Sequence, residues 1–106
     1  GILPASSVLE QPANTIVDAA GIVSNRQRPG TASGIVFMTL EDETGMLNLV
    51  VKPGLFDRQR ALILGENMLQ VCAKLQRDGA SVSLLCLRFS PLSLAPRVGT
   101  RSRDFR

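Results

Sequence analysis

Residues 34–51 read GIVFMTLEDETGMLNLVV, two alternating runs joined by a turn. Successive side chains of a strand point to opposite sides. In the first run, residues 34–41, this puts Val36, Met38 and Leu40 on one face and Ile35, Phe37, Thr39 and Glu41 on the other. The first face is wholly apolar and is expected to point inward. The second mixes an aromatic ring with polar groups, as a binding face would. In the second run, residues 46–51, Leu47, Leu49 and Val51 alternate with Met46, Asn48 and Val50. Residues 42–45 (DETG) join the runs tightly, because Asp bonds the turn backbone and Gly accepts positive φ. If the two apolar faces coincide, Asn48 falls on the face that carries Phe37.

Upstream, residues 15–24 (TIVDAAGIVS) predict a β-branched strand. Gly21 interrupts it and marks a bulge or sharp bend of the kind that closes a barrel. Residues 25–33 (NRQRPGTAS) read as a polar, basic loop, with Pro29-Gly30 as its turn and Arg26 and Arg28 just before it. Residues 1–14 show no helix or strand period and read as a lead-in. Downstream, residues 53–64 (PGLFDRQRALIL) predict a short helix opened by Pro53 and ended by Gly65. Leu55, Phe56, Leu62 and Ile63 form its apolar stripe. Residues 67–77 and 80–89 predict two further strands, joined by a hairpin at Asp78-Gly79. Pro91 and Pro96 are expected to end regular structure.

The order is three strands, a helix, then two strands. It points to an all-β domain with one short helix between strands 3 and 4: an OB-fold, the five-stranded Greek-key barrel whose strand 2–3 face and flanking loops bind oligonucleotides. The expected organisation is a lead-in at 1–14, the OB domain at 15–90 and a basic, flexible tail at 91–106.

Composition narrows the function. The chain has 106 residues, room for one ordinary domain, and begins on Gly1 rather than Met, as a fragment or processed chain does. It contains no His, Trp or Tyr. Without His, no Ser–His or Cys–His catalytic unit and none of the usual imidazole metal sites can form. Two cysteines are too few for a zinc ribbon or a disulfide framework. No apolar run reaches the ~18 residues of a membrane span, and no secretory signal pattern is present. An enzyme acting through this chain alone is therefore the least favoured reading, and no cofactor is expected.

The net charge of +3 is uneven. Residues 1–96 are balanced, and the excess lies in Arg97, Arg101, Arg103 and Arg106 against Asp104. The tail is either a solvated terminus or an element that touches phosphates. Ten of the twelve basic residues are Arg, which suits planar, bidentate contacts. Phe37 would stack on a base if exposed, but period alone leaves it equally a core residue. Asn48 would pair with a base edge, or is simply solvated. Thr39 lies on the same face. Arg26, Gln27 and Arg28 would hold phosphate, or form a solvated loop. Glu41, Asp42 and Glu43 are better read as turn chemistry than as a Mg²⁺ site. Their charge opposes phosphate. Cys72 and Cys86 flank Gly79 symmetrically. A cross-strand disulfide is conceivable there, but two reduced, small apolar residues are favoured.

RQRPGTA at 26–32, FMTLEDETG at 37–45, the Asn48 strand, LFDRQR at 55–60, LQRDG at 75–79 and SRDF at 102–105 resemble bacterial error-prone DNA polymerases. These are C-family enzymes related to the replicative polymerase III alpha subunit. The resemblance covers the chain from about residue 15 onward. It implies the C-terminal OB domain of a larger DNA-directed polymerase that acts in damage-induced, translesion synthesis. The upstream domains would carry the catalytic carboxylates. It further implies a bacterial cytoplasmic, nucleoid-associated setting, contact with single-stranded template, and upstream polymerase domains or accessory mutagenesis proteins as partners. Residues 35–51 also resemble the anticodon-binding OB domain of class II aminoacyl-tRNA synthetases. There the Phe matching Phe37 stacks on a base and the amide matching Asn48 reads one. The chain departs from the polymerase pattern at Lys52, Gln59 and Ala73, where Trp, an aromatic and Gly are usual. The expected function is a monomeric module that binds single-stranded DNA through Arg26, Arg28, Phe37, Thr39, Asn48, Arg101 and Arg103. The alternative is an OB module that docks protein.

Overall fold

The computed structural model describes residues 1–27 and 33–92. The expected binding residues Arg28, Arg101 and Arg103 lie outside them. The described chain runs β1 (Ile2–Leu3), α1 (Ala5–Val8), β2 (Ile16–Gln27), β3 (Val36–Asp42), β4 (Gly45–Val51), α2 (Pro53–Arg58), α3 (Arg60–Gly65), β5 (Met68–Asp78) and β6 (Ser81–Pro91). The strands pair in the order β1-β2-β3-β4-β6-β5, and β2 also pairs with β5, which closes a barrel of β2 to β6. The pairings within the barrel are antiparallel except β4 with β6.

The alternation in β3 and β4 decides which face is buried. Val36, Met38, Leu40, Leu47, Leu49 and Val51 are buried together. Leu69, Val71, Ala73 and Leu75 of β5 and Leu84 and Phe89 of β6 complete the core, with Leu55, Phe56 and Ile63 packed in from α2 and α3.

β2 serves two neighbours. Residues 16–22 pair with β5 and residues 22–27 with β3. Gly21 sits at this changeover, where a Cβ would lie 2.9 Å from the carbonyl carbon of Glu41. Only glycine allows the two strands to approach so closely. The bulge itself lies at Ser24 rather than at Gly21. Val23 pairs with Leu40 and Asn25 with Thr39, so Ser24 is the extra residue. β2 also runs on to Gln27, so residues 25–27 are strand and not loop.

Three other expectations change. Residues 1–14, read without a helix or strand period, hold β1 and α1, and Ala5 and Val8 are buried in the core. β1 adds to β2 in parallel, Ile2 beside Asp18. Arg77 helps to hold the segment after α1, its Nη2 donating to the carbonyls of Leu9 and Gln11 at 3.0 and 2.7 Å. Pro91 still pairs, opposite Leu69, at the end of β6. The helix expected over 53–64 splits at Gln59, whose φ of −118° and ψ of 24° are not helical. The Gln59 amide bonds β6 instead. Nε2 donates to the Phe89 carbonyl at 2.9 Å, and Oε1 accepts the Phe89 N–H at 2.7 Å.

The turn between β5 and β6 is Gly79-Ala80, with Asp78 paired to Ser81 and Gly79 at φ 62°. Further along, Ala73 pairs with Cys86 but Cys72 with Arg88, so Leu87 is an extra residue in β6. The Gly79-Ala80 turn already sets Cys86 opposite Ala73 rather than Cys72, and both cysteines are free thiols. Burial pushes the Cys86 thiol up to about 12, so it stays protonated. Among the described residues, no helix is long and apolar enough to cross a membrane.

Candidate nucleic-acid interface

Three strands build one outward face. Because β3 and β4 stay in register, Phe37 lies opposite Val50, Thr39 opposite Asn48 and Glu41 opposite Met46. β2 extends these rows. Gln27 lies opposite Phe37, Asn25 opposite Thr39 and Ile22 opposite Glu41. Phe37 is 44% exposed although Val36 and Met38 beside it are buried. It is therefore a surface ring and not a core residue. Asn48 is exposed next to the half-buried Thr39.

An open groove of ≈380 Å³ lies on this face. It is lined by Asn25, Gln27, Phe37, Thr39, Asn48 and Ser83, with Met38, Leu49 and Val50 at its floor and side. Its polar groups are uncharged amides and hydroxyls, which both donate and accept hydrogen bonds. The ring offers a π-face. A flat heterocycle with donors and acceptors on its edge fits this combination: the ring stacks, and the amides meet the edge. Among the described residues, no triad of acids or nucleophiles lines the groove and no cluster of His, Cys, Asp and Glu could hold a metal ion.

Arg26 is placed away from the groove. Its Nε donates to the Ile63 carbonyl at 2.9 Å and its Nη2 to the Glu66 carbonyl at 2.7 Å. It thus braces the end of α3, where unpaired carbonyls and the helix dipole favour a cation. The cause is the Ser24 bulge. Before it, the odd residues Val17, Ala19 and Val23 are buried. After it, odd residues face outward, so Asn25 and Gln27 reach the groove and Arg26 does not. Asn25 and Ser83 were missed because their exposure depends on a bulge and on the parallel β4–β6 seam. Gln27 stood in the sequence as a loop residue.

The acidic turn is structural. Asp42 Oδ1 accepts from the Thr44 N–H at 2.8 Å, the Thr44 hydroxyl at 2.6 Å and the Gly45 N–H at 3.1 Å. Its Oδ2 accepts the Ala5 N–H at 2.8 Å, which ties α1 to the hairpin. Burial alone would push the Asp42 carboxyl up, but these hydrogen bonds together hold it below the ordinary carboxylate value.

Residues 17–92 match the family model of the OB-fold nucleic acid binding domain. The chain is 50% identical over 106 residues to an error-prone DNA polymerase of Azoarcus sp. (strain BH72), covering 97% of this chain and 10% of that protein. It is 50% identical over 93 residues to one of Dechloromonas aromatica (strain RCB), covering 87% of this chain and 9% of that protein. The chain thus spans about a tenth of the length of these relatives. Among solved structures, asparaginyl-tRNA synthetase of Pyrococcus horikoshii, complexed with asparaginyl-adenylate, superposes with a TM-score of 0.68 at 18% identity, over 85% of this chain and 22% of that one. At that identity the likeness is one of fold.

Proposed function

Since this chain belongs to the OB-fold nucleic acid binding domain family and is homologous to a segment of error-prone DNA polymerases, we propose that it binds single-stranded template for such a polymerase. One observation carries the reading: Phe37 stands exposed beside a groove of uncharged amides on the β3–β4 face. Phe37 stacks on an unpaired base, and Asn48 and Thr39 bond its edge or that of a neighbour. Arg28, Arg101 and Arg103 supply attraction that does not depend on sequence. Synthesis would belong to the upstream part of the polymerase, in translesion replication within the bacterial cytoplasm. Fluorescence anisotropy of a labelled oligo-dT tests this at low and physiological salt. Phe37→Ala should weaken binding by about 5- to 150-fold, the loss of one stacking contact of ~1–3 kcal/mol. Equal binding by wild type and variant would refute it.

A second reading rests on the other end of the same face. Ile22 is 53% and Met46 59% exposed on either side of Glu41. There the domain would dock upstream polymerase domains or accessory mutagenesis proteins.

A further inference from the structure

We infer a second subsite beside the base groove, one that takes a phosphate of the same bound strand between Lys52 and Arg58. This inference rests on the proposed single-strand binding and extends it.

Among the described residues, no charged side chain lines the base groove. A nucleic acid laid in it still carries one charge per nucleotide, and phosphate contacts normally supply most of the affinity. Those charges must be met beyond the groove. At one end the face carries Glu41, with Asp42 and Glu43 following in the turn. That end repels phosphate. At the other end, Val50 is the last groove residue on β4, and Lys52 follows two residues on.

A second open cavity of ≈410 Å³ begins there, lined by Lys52, Pro53, Gly54, Leu55, Arg58, Cys86 and Leu87. The two grooves lie along one seam. β4 and β6 pair in parallel through Val50 and Leu85, so Lys52 and Leu87 each stand two residues beyond that pair. The Arg58 guanidinium folds back over Gly54, where a Cβ would lie 3.5 Å from Nη1. Leu87 is the extra residue of the β6 bulge and is 44% exposed. Bulges re-aim side chains in this way next to functional sites, and here the result is an apolar wall for a sugar opposite two cations.

Among the described cations, Lys52 and Arg58 are the two that line this cavity. Arg26 is bound to the end of α3, Arg77 to the carbonyls of Leu9 and Gln11, and Arg60 lies over the Phe56 ring at 5.6 Å. The side chains of Lys52 and Arg58 have no hydrogen-bond or ion-pair partner among the described residues, and Lys74 and Arg88 line neither groove. Asp57 neighbours Arg58 in sequence but does not line the cavity. The strand is therefore read by its bases at Phe37 and Asn48 and leaves along the β4–β6 seam with its phosphate between Lys52 and Arg58.

Salt titrations of the 106-residue chain with labelled oligo-dT, oligo-dA and oligo-dC test the subsite. Lys52→Gln and Arg58→Gln should each weaken binding to the three oligonucleotides by the same factor. Each should also make the slope of log K against log salt shallower by about 0.7, the value of one single-strand phosphate contact. Asn48→Ala should instead change the preference among the three and leave the slope alone. Thermal melts of the two charge variants should match wild type, since both side chains are exposed. Salt-dependent binding whose slope the double variant leaves intact would overturn the phosphate subsite and spare the base-binding reading. No binding by the wild-type chain would overturn both.

Discussion

In the β3–β4 hairpin the Asp42 side chain holds the turn, and the strands stay in step from Asp42 opposite Gly45 to Val36 opposite Val51. In the β5–β6 hairpin the turn rests on a backbone conformation, Gly79 at φ 62°, and the strands lose step at Leu87. The first hairpin can therefore carry a fixed row of outward side chains, and it carries Phe37, Thr39 and Asn48. The second supplies more of the core. Its outward positions are re-phased along its length, which is why Leu87 and Arg88 are both exposed in succession. Uninterrupted register makes a surface whose side chains can be placed against a ligand. A bulge trades that regularity for one side chain aimed elsewhere.

The two phenylalanines put this contrast to the largest test. Phe89 of β6 is 2% exposed. Phe89→Ala should cost ~3–5 kcal/mol of stability in urea unfolding. Phe37→Ala, on the first hairpin, should stay within about 0.5 kcal/mol while binding falls. Comparable losses of stability would erase the distinction between the hairpins.

The turn locks come next. Asp42→Ala removes four hydrogen-bond acceptor contacts, one of which anchors α1. It should cost on the order of 1–3 kcal/mol. The sign of its pH dependence follows from the lowered carboxyl. Asp42 contributes fully above the unfolded value of about 3.8, and the contribution fades as pH falls toward the lower folded value. Urea midpoints measured between pH 6 and 2.5 should thus fall less steeply in Asp42→Asn than in wild type. Gly79→Ala strains only the backbone, since a Cβ there meets nothing within 4 Å. It should cost ~1 kcal/mol, less than the loss at Asp42 or at Phe89.

These differences mark what the sequence could convey. DETG announces its own turn, and strict alternation on either side sets the register, so residue types showed that Phe37 and Asn48 share a face, while period alone left Phe37 equally a core residue. Gly21 was legible as a position that needs glycine. The bulges were not. Ser24 and Leu87 carry no Gly or Pro signature, because a bulge is stabilised by the twist and the neighbouring strands rather than by its own side chain. One unseen insertion in β2 exchanges the roles of Arg26 and Gln27. In the second hairpin the turn, one residue later than Asp78-Gly79, sets Cys86 opposite Ala73 and away from Cys72. The break at Gln59 was hidden as well, since a glutamine is a good helix former. Its preference gives way to two hydrogen bonds with another element.

Those two bonds have a consequence for how molecules of this kind meet one another. β4 pairs with β6 only at Leu84 and Leu85, so beyond them the margin of β6 toward Pro91 has no strand partner on that side, and α2 and α3 pack against β6 instead. A free N–H and C=O there would offer a template on which a strand from another molecule could grow. The Gln59 amide presents its own donor and acceptor to Phe89 in place of that strand. A single side chain thus does for self-association what a further strand would do for closure, and it keeps the thinnest margin of the barrel from becoming adhesive.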